Sequence, residues 1–192
     1  VGSGLGGGSS NAATVLLLLN ELWGLRLPRD ELARIAAEIG ADVPLFLFGP
    51  LCIIRGRGEL VEEVKRPVPP LHVLLLLPRL SCSTPVVYAA WDRMGSRSQR
   101  PSVAEVVAKL DRPEELAGLL FNDLEEPALA AYPELRGLRD EISARCPLAI
   151  RMSGSGSAFY CLSADRELLL TAQRSVAGLG LPLEATPVSL GA

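Results

Sequence analysis

The sequence predicts an α+β protein, and three observations carry this. Helical patterns and short apolar strand-like runs both occur, without a strict strand–helix alternation. Clusters of glycine, serine and proline break them at 1–10, 66–71, 78–85 and 94–102. No apolar run approaches the ~20 residues that cross a bilayer. The longest, at 15–19 and 74–77 with their neighbours, fall far short.

The first element follows a loop, VGSGLGGGSS, in which five of the first eight residues are glycine. Ser9, Ser10 and Asn11 are good caps for the helix that AATVLLLLNELW predicts, and Gly24 stops it. Residues 27–30 are a turn and cap for a second helix, ELARIAAEI, closed by Gly40. CIIRGRGELVEEV at 52–64 reads as two strands joined by a glycine turn. LHVLLLLP at 71–78 reads as a buried strand, and PRLSCSTP at 78–85 as a loop. Helices are expected at 86–94, 102–110, 113–120, 125–131 and 134–145. The polar stretch 94–102 is the expected mobile segment. Residues 149–163 predict strand, glycine turn, strand; a helix and a final strand, LEATPVS, follow. The proline-rich break RPVPPL at 66–71 predicts two domains, 1–66 and 70–192.

Charge and cysteines narrow the function. The chain has 192 residues, 19 basic and 22 acidic, for a net charge of −3. A nucleic-acid surface shows as a basic excess, so that class is disfavoured. Only Lys65 and Lys109 are lysines. Cys52, Cys82, Cys146 and Cys161 are widely spaced and form no CxxC pair. That spacing supports neither a zinc site nor a disulfide framework, and points to a reducing compartment.

The glycine loop is the strongest chemical signal. A glycine-rich turn directly before a capped helix aims backbone N–H groups, and the positive end of the helix dipole, at one spot. That spot suits a phosphate. Val1, Gly2, Ser3, Gly4, Leu5, Gly6, Gly7, Gly8, Ser9 and Ser10 are the candidate nucleotide-binding residues. A flexible linker is the competing reading, and the abrupt run into a helix opposes it. No GK[ST] closes the loop, so it is not a Walker A motif. The loop normally follows a strand, so a strand-bearing segment is expected ahead of Val1. Asp42 is the candidate catalytic residue. Its carboxylate suits a general base for a hydroxyl, and equally suits a plain cap for a short helix at 43–48. Asn122 and Asp123 read as a cap for the helix at 125–131, and residues 153–157 (SGSGS) as a turn between strands.

The loop GLGGGSSNAA resembles the second motif of the GHMP kinases. The resemblance continues in order through GADVPLF at 40–46, STPV at 83–86, FNDLE at 121–125 and MSGSGS at 152–157. It implies a two-lobed α+β fold: a ribosomal-protein-S5-like first lobe, incomplete here, and a ferredoxin-like second. It implies ATP, with Mg²⁺ carried on its phosphates, and Asp42 as catalytic base. It places Thr84, Pro85, Gly154, Ser155 and Gly156 toward the substrate. The triple glycine is closest to the branch that phosphorylates the 2-hydroxyl of a cytidine diphosphate sugar alcohol in isoprenoid precursor synthesis, a cytoplasmic or plastid-stromal reaction. Another small-alcohol kinase of the family, or a non-catalytic fragment, are the alternatives. In the family a lysine beside the aspartate belongs to a motif ahead of the glycine loop. Neither Lys65 nor Lys109 lies in such a motif, so this chain alone is expected to be inactive.

Overall fold

A computed structural model describes residues 4–95 and 100–190. Val1, Gly2, Ser3 and residues 96–99 of the polar stretch lie outside the described residues. The chain divides into two compact units. One holds Gly6–Arg66; the other holds Gly4, Leu5 and residues 67–95 and 100–190.

The unit Gly6–Arg66 starts with helix α1, Gly7–Leu22, and helix α2, Arg29–Ile39. Asn20 ties the link between them. Its side chain donates to the Leu27 carbonyl at 3.2 Å and accepts from the Leu27 N–H at 3.0 Å. Asp30 and Glu31 sit in the first turn of α2, where acids suit the helix dipole. A 3₁₀ turn, Pro44–Leu47, packs against both helices. Ala13, Leu32, Ala36, Val43 and Leu47 form the buried core. Strands β1 (Cys52–Arg55) and β2 (Leu60–Glu63) pair antiparallel, with Cys52 opposite Glu63 and Arg55 opposite Leu60.

The larger unit is built on a four-stranded antiparallel sheet. Its strands are β3 (Leu71–Pro78), β4 (Arg151–Met152), β5 (Phe159–Ser163) and β6 (Leu183–Leu190), in the spatial order β4-β5-β3-β6. β3 is bonded on both edges, to β5 and β6, which explains its near-continuous apolar run. Pro187 lies in β6, an edge strand, where a missing N–H costs no inner ladder bond. Between β3 and β4 run five helices: α3 (Thr84–Met94), α4 (Val103–Ala108), α5 (Pro113–Leu119), α6 (Glu125–Ala131) and α7 (Pro133–Ser143). Helix α8, Arg166–Ala177, joins β5 to β6. A strand, helices, a hairpin, a helix and a closing strand in this order form the ferredoxin-like arrangement. The core gathers Leu74, Leu76, Leu129, Leu135, Ile142, Phe159 and Leu169 from the sheet and helices.

Two local expectations are corrected. Ser9, Ser10 and Asn11 are not caps, because α1 begins earlier. Gly6 takes the cap position in the left-handed region, φ 66°, and both serines lie in the first turns of the helix. Asp42 does not cap the turn at 44–47. Val43 holds that position in helical geometry, and no side chain caps it.

Candidate active site

The start of α1 leaves its first backbone donors open. The Ser10 N–H makes the first turn's bond, to the Gly6 carbonyl at 2.9 Å, so the amides of Gly7, Gly8 and Ser9 precede the helical ladder. No side chain caps the end and no acid lies in the first turn. Gly7 and Gly8 are exposed, and a Cβ on either would meet no atom within 4 Å. Uncapped amides, the positive end of a 16-residue helix and open space are the features that suit an anion. Phe46 sets the entry to this turn. A Cβ on Gly6 would lie 2.8 Å from its ring Cζ, so bulk and positive φ both demand glycine there.

Asp42 lies in the turn between α2 and the 3₁₀ segment, and it is exposed. Its carboxylate has no hydrogen-bond or ion-pair partner among the described residues, so its lone pairs remain available to a hydroxyl. The turn is held by its backbone, through the Val43 N–H to Gly40 carbonyl bond at 3.1 Å. The β1–β2 hairpin also presses on it: a Cβ on Gly58 would collide with the Ala41 carbonyl.

In the larger unit, the second glycine-rich loop meets Gly4. The Ser153 hydroxyl donates to the Gly4 carbonyl at 2.9 Å. A Cβ on Gly4 would run into the Ser153 carbonyl oxygen, and one on Gly154 would lie 3.2 Å from the Gly4 Cα. Glycine on both segments is what permits this approach. Ser155 and Thr84 share a hydroxyl–hydroxyl hydrogen bond of 2.7 Å at the start of α3, beside Pro85. Ser157 is buried and donates to the Leu80 carbonyl at 2.5 Å. Gly156 is buried against Met152 and Cys82.

Contrary to the sequence expectation, neither Asn122 nor Asp123 caps α6: Leu124 holds the cap position, and no side chain bonds the helix start. The Leu124 N–H donates to the Asn122 side-chain oxygen at 3.0 Å, as a turn-forming residue would arrange. Asp123 instead pairs with Arg100 at 2.9 Å. Glu125, at 9% exposure a buried acid, accepts from the Met152 N–H at 3.1 Å. Its burial was not legible in the sequence, because an acid in a helix's first turn ordinarily faces water. His72 is a sheet residue, with its Nδ1 3.2 Å from the Ser189 hydroxyl. Lys109 pairs with Glu115, and Lys65 is exposed.

Comparison with known proteins bears on this arrangement. The family model of the GHMP kinases N terminal domain matches residues 1–50, and that of the GHMP kinases C terminal domain matches residues 101–179. A crystal structure of a 4-(cytidine 5'-diphospho)-2C-methyl-D-erythritol kinase superposes with a TM-score of 0.77 at 34% identity, over 100% of this chain and 67% of that one. The chain belongs to the GHMP kinase family. The GHMP fold is shared more widely: a homoserine kinase from Cytophaga hutchinsonii matches with a TM-score of 0.69 at 17% identity, over 100% of this chain and 66% of its own. Among curated relatives, the 4-diphosphocytidyl-2-C-methyl-D-erythritol kinase of Saccharopolyspora erythraea is 42% identical over 187 residues, covering 93% of this chain and 58% of the relative. The protein of the same name from Nocardia farcinica is 40% identical over 188 residues, covering 93% and 60%. This GHMP kinase chain thus spans about three-fifths of the length of those relatives. Among the described residues, no helix is long and apolar enough to cross a membrane.

Proposed function

We propose that this chain is part of a kinase that transfers the γ-phosphate of ATP to the 2-hydroxyl of 4-diphosphocytidyl-2-C-methyl-D-erythritol. The uncapped, acid-free start of α1 carries the proposal, because it suits a phosphate and nothing in its own unit fills it. The relatives that bear this kinase name, at 40% and 42% identity, support the choice of substrate. In this reading residues 1–66 belong to the ATP-binding domain and residues 70–192 form the C-terminal domain.

The roles follow from the chemistry. The amides of Gly7, Gly8 and Ser9 bind phosphate oxygens, and the glycines keep side chains out of the way. Asp42 accepts the hydroxyl proton as the oxygen attacks phosphorus, a role typically worth ~10²–10⁴-fold. Thr84, Pro85 and residues 154–156 line the substrate side. Mg²⁺, carried on the nucleotide, supplies charge neutralisation at the phosphates when bound. The four unpaired cysteines fit a cytoplasmic location. The test is phosphate transfer from ATP to a panel of small alcohols by the whole kinase of which this chain is part, followed by phosphorus NMR. Selective formation of the cytidyl sugar-alcohol 2-phosphate is expected. Preference for homoserine or a mevalonate-type alcohol would reject the substrate.

A further inference from the structure

The FNDLE segment at 121–125 has no part in the phosphate chemistry above, yet it carries a dense set of hydrogen bonds. The Asn122 amide nitrogen donates to two carbonyls at once, Met152 at 3.0 Å and Gly154 at 2.7 Å. Its oxygen holds the Leu124 N–H, and its backbone carbonyl accepts from the Glu125 N–H at 3.1 Å. Glu125 takes the Met152 N–H from the same strand end. Just upstream, the Arg151 Nε donates to the Leu120 carbonyl at 2.6 Å. The 120–125 segment thus grips β4 and the first half of the glycine loop from one side. On the same loop, Ser153 reaches Gly4. A glycine-rich loop has little stiffness of its own, so its shape must come from such outside bonds.

We infer that Asn122 is a positioning residue, which with Glu125 sets the conformation of the 153–157 loop and, through the Ser153–Gly4 hydrogen bond, the nucleotide-binding loop. The link to the nucleotide rests on the function proposed above. The grip on the loop does not.

The two halves of the Asn122 side chain are separable by chemistry. In Asn122→Asp the carboxylate still accepts from the Leu124 N–H but repels the Met152 and Gly154 carbonyls. Asn122→Ser is neutral, remains able to form the turn, and is too short to reach them. Amide hydrogen exchange on this chain reads the loop and α6 separately, and titration with ATP reads the nucleotide. Both variants are expected to speed exchange at Ser153 and Gly156 about tenfold, the scale of one lost hydrogen bond, with α6 unchanged. The Kd for ATP should rise by a similar factor. Glu125→Gln keeps an acceptor for the Met152 N–H and should leave loop exchange within about twofold of the parent. Loop exchange in Asn122→Ser equal to the parent overturns the grip and reduces Asn122 to a turn residue. Faster exchange with unchanged ATP affinity overturns the link to the nucleotide. A parent chain that binds no ATP also overturns that link for this chain and counts against the proposed function, and the exchange data alone then decide the grip.

Discussion

Ser153 donates its hydroxyl to the carbonyl of Gly4 at 2.9 Å, joining two glycine-rich segments 149 residues apart. Neither segment forms a regular element at this point, so the contact rests on small residues and one hydrogen bond. Ser153→Ala should cost about 0.5–1.5 kcal/mol in urea unfolding, the net worth of such a bond. Gly4→Ala should cost more, about 1–3 kcal/mol, because its φ is 74° and the added carbon meets the Ser153 carbonyl. Equal losses for the two variants would mean that the close approach carries no strain.

Gly6 and Gly7 are neighbours with opposite expected behaviour. Gly6→Val places a branched side chain at φ 66° and against the Phe46 ring. ATP affinity should fall at least about tenfold, and thermal stability should drop as well. Gly7→Ala sits in helical geometry with open space around it, and should stabilise the chain by up to about 1 kcal/mol. Nucleotide titration and melting of both variants check this. Unchanged ATP binding by Gly6→Val would remove the loop from the nucleotide site.

Asp42→Asn keeps the shape of an exposed side chain that makes no hydrogen bond among the described residues. Stability should stay within about 0.5 kcal/mol. In the active kinase kcat should fall ~10²–10⁴-fold, with little change in the KM for ATP. Steady-state kinetics at saturating substrate decide it, and near-normal turnover would leave Asp42 without a catalytic role.

The Cys146 and Cys161 sulfurs lie 3.7 Å apart. A hydrogen bond from the Cys161 thiol lowers the Cys146 pKa to about 7, against the opposing effect of burial. The same bond and burial push Cys161 up. The sign is therefore clear: Cys146 gains thiolate as pH rises through about 7, while Cys161 stays protonated. Iodoacetamide labelling followed by peptide mass spectrometry should modify Cys146 with a midpoint near that pH. Cys161→Ala removes the donor, and Cys146 labelling at pH 7 should slow about tenfold. A midpoint near the ordinary thiol value in the parent chain would contradict this.

Much of the fold was legible in the sequence because it is local. The period of ELARIAAEI marks α2, glycine turns mark both hairpins, and the unbroken apolar run at 71–78 marks the inner strand β3. The candidate site was legible where backbone chemistry dominates, as in a glycine-rich segment running into a helix. Its details were less so. Three cap-forming residues, Ser9, Ser10 and Asn11, follow the loop, yet Gly6 takes the cap position, where its positive φ and the Phe46 ring from 40 positions away (46 − 6) leave room for glycine alone.

By itself, then, the sequence determined the kinds and order of elements, the glycine-rich turns and the family motifs. These depend on neighbours within a few residues: side-chain period, φ preference and turn chemistry. Only the tertiary structure decided which groups meet. Asn122 reaches carbonyls 30 and 32 residues away, Glu125 is buried against a strand end 27 residues on, and Ser153 closes on Gly4. Such contacts form when distant segments condense and exclude water, and each buried polar group must then find whatever partner the packing brings near it.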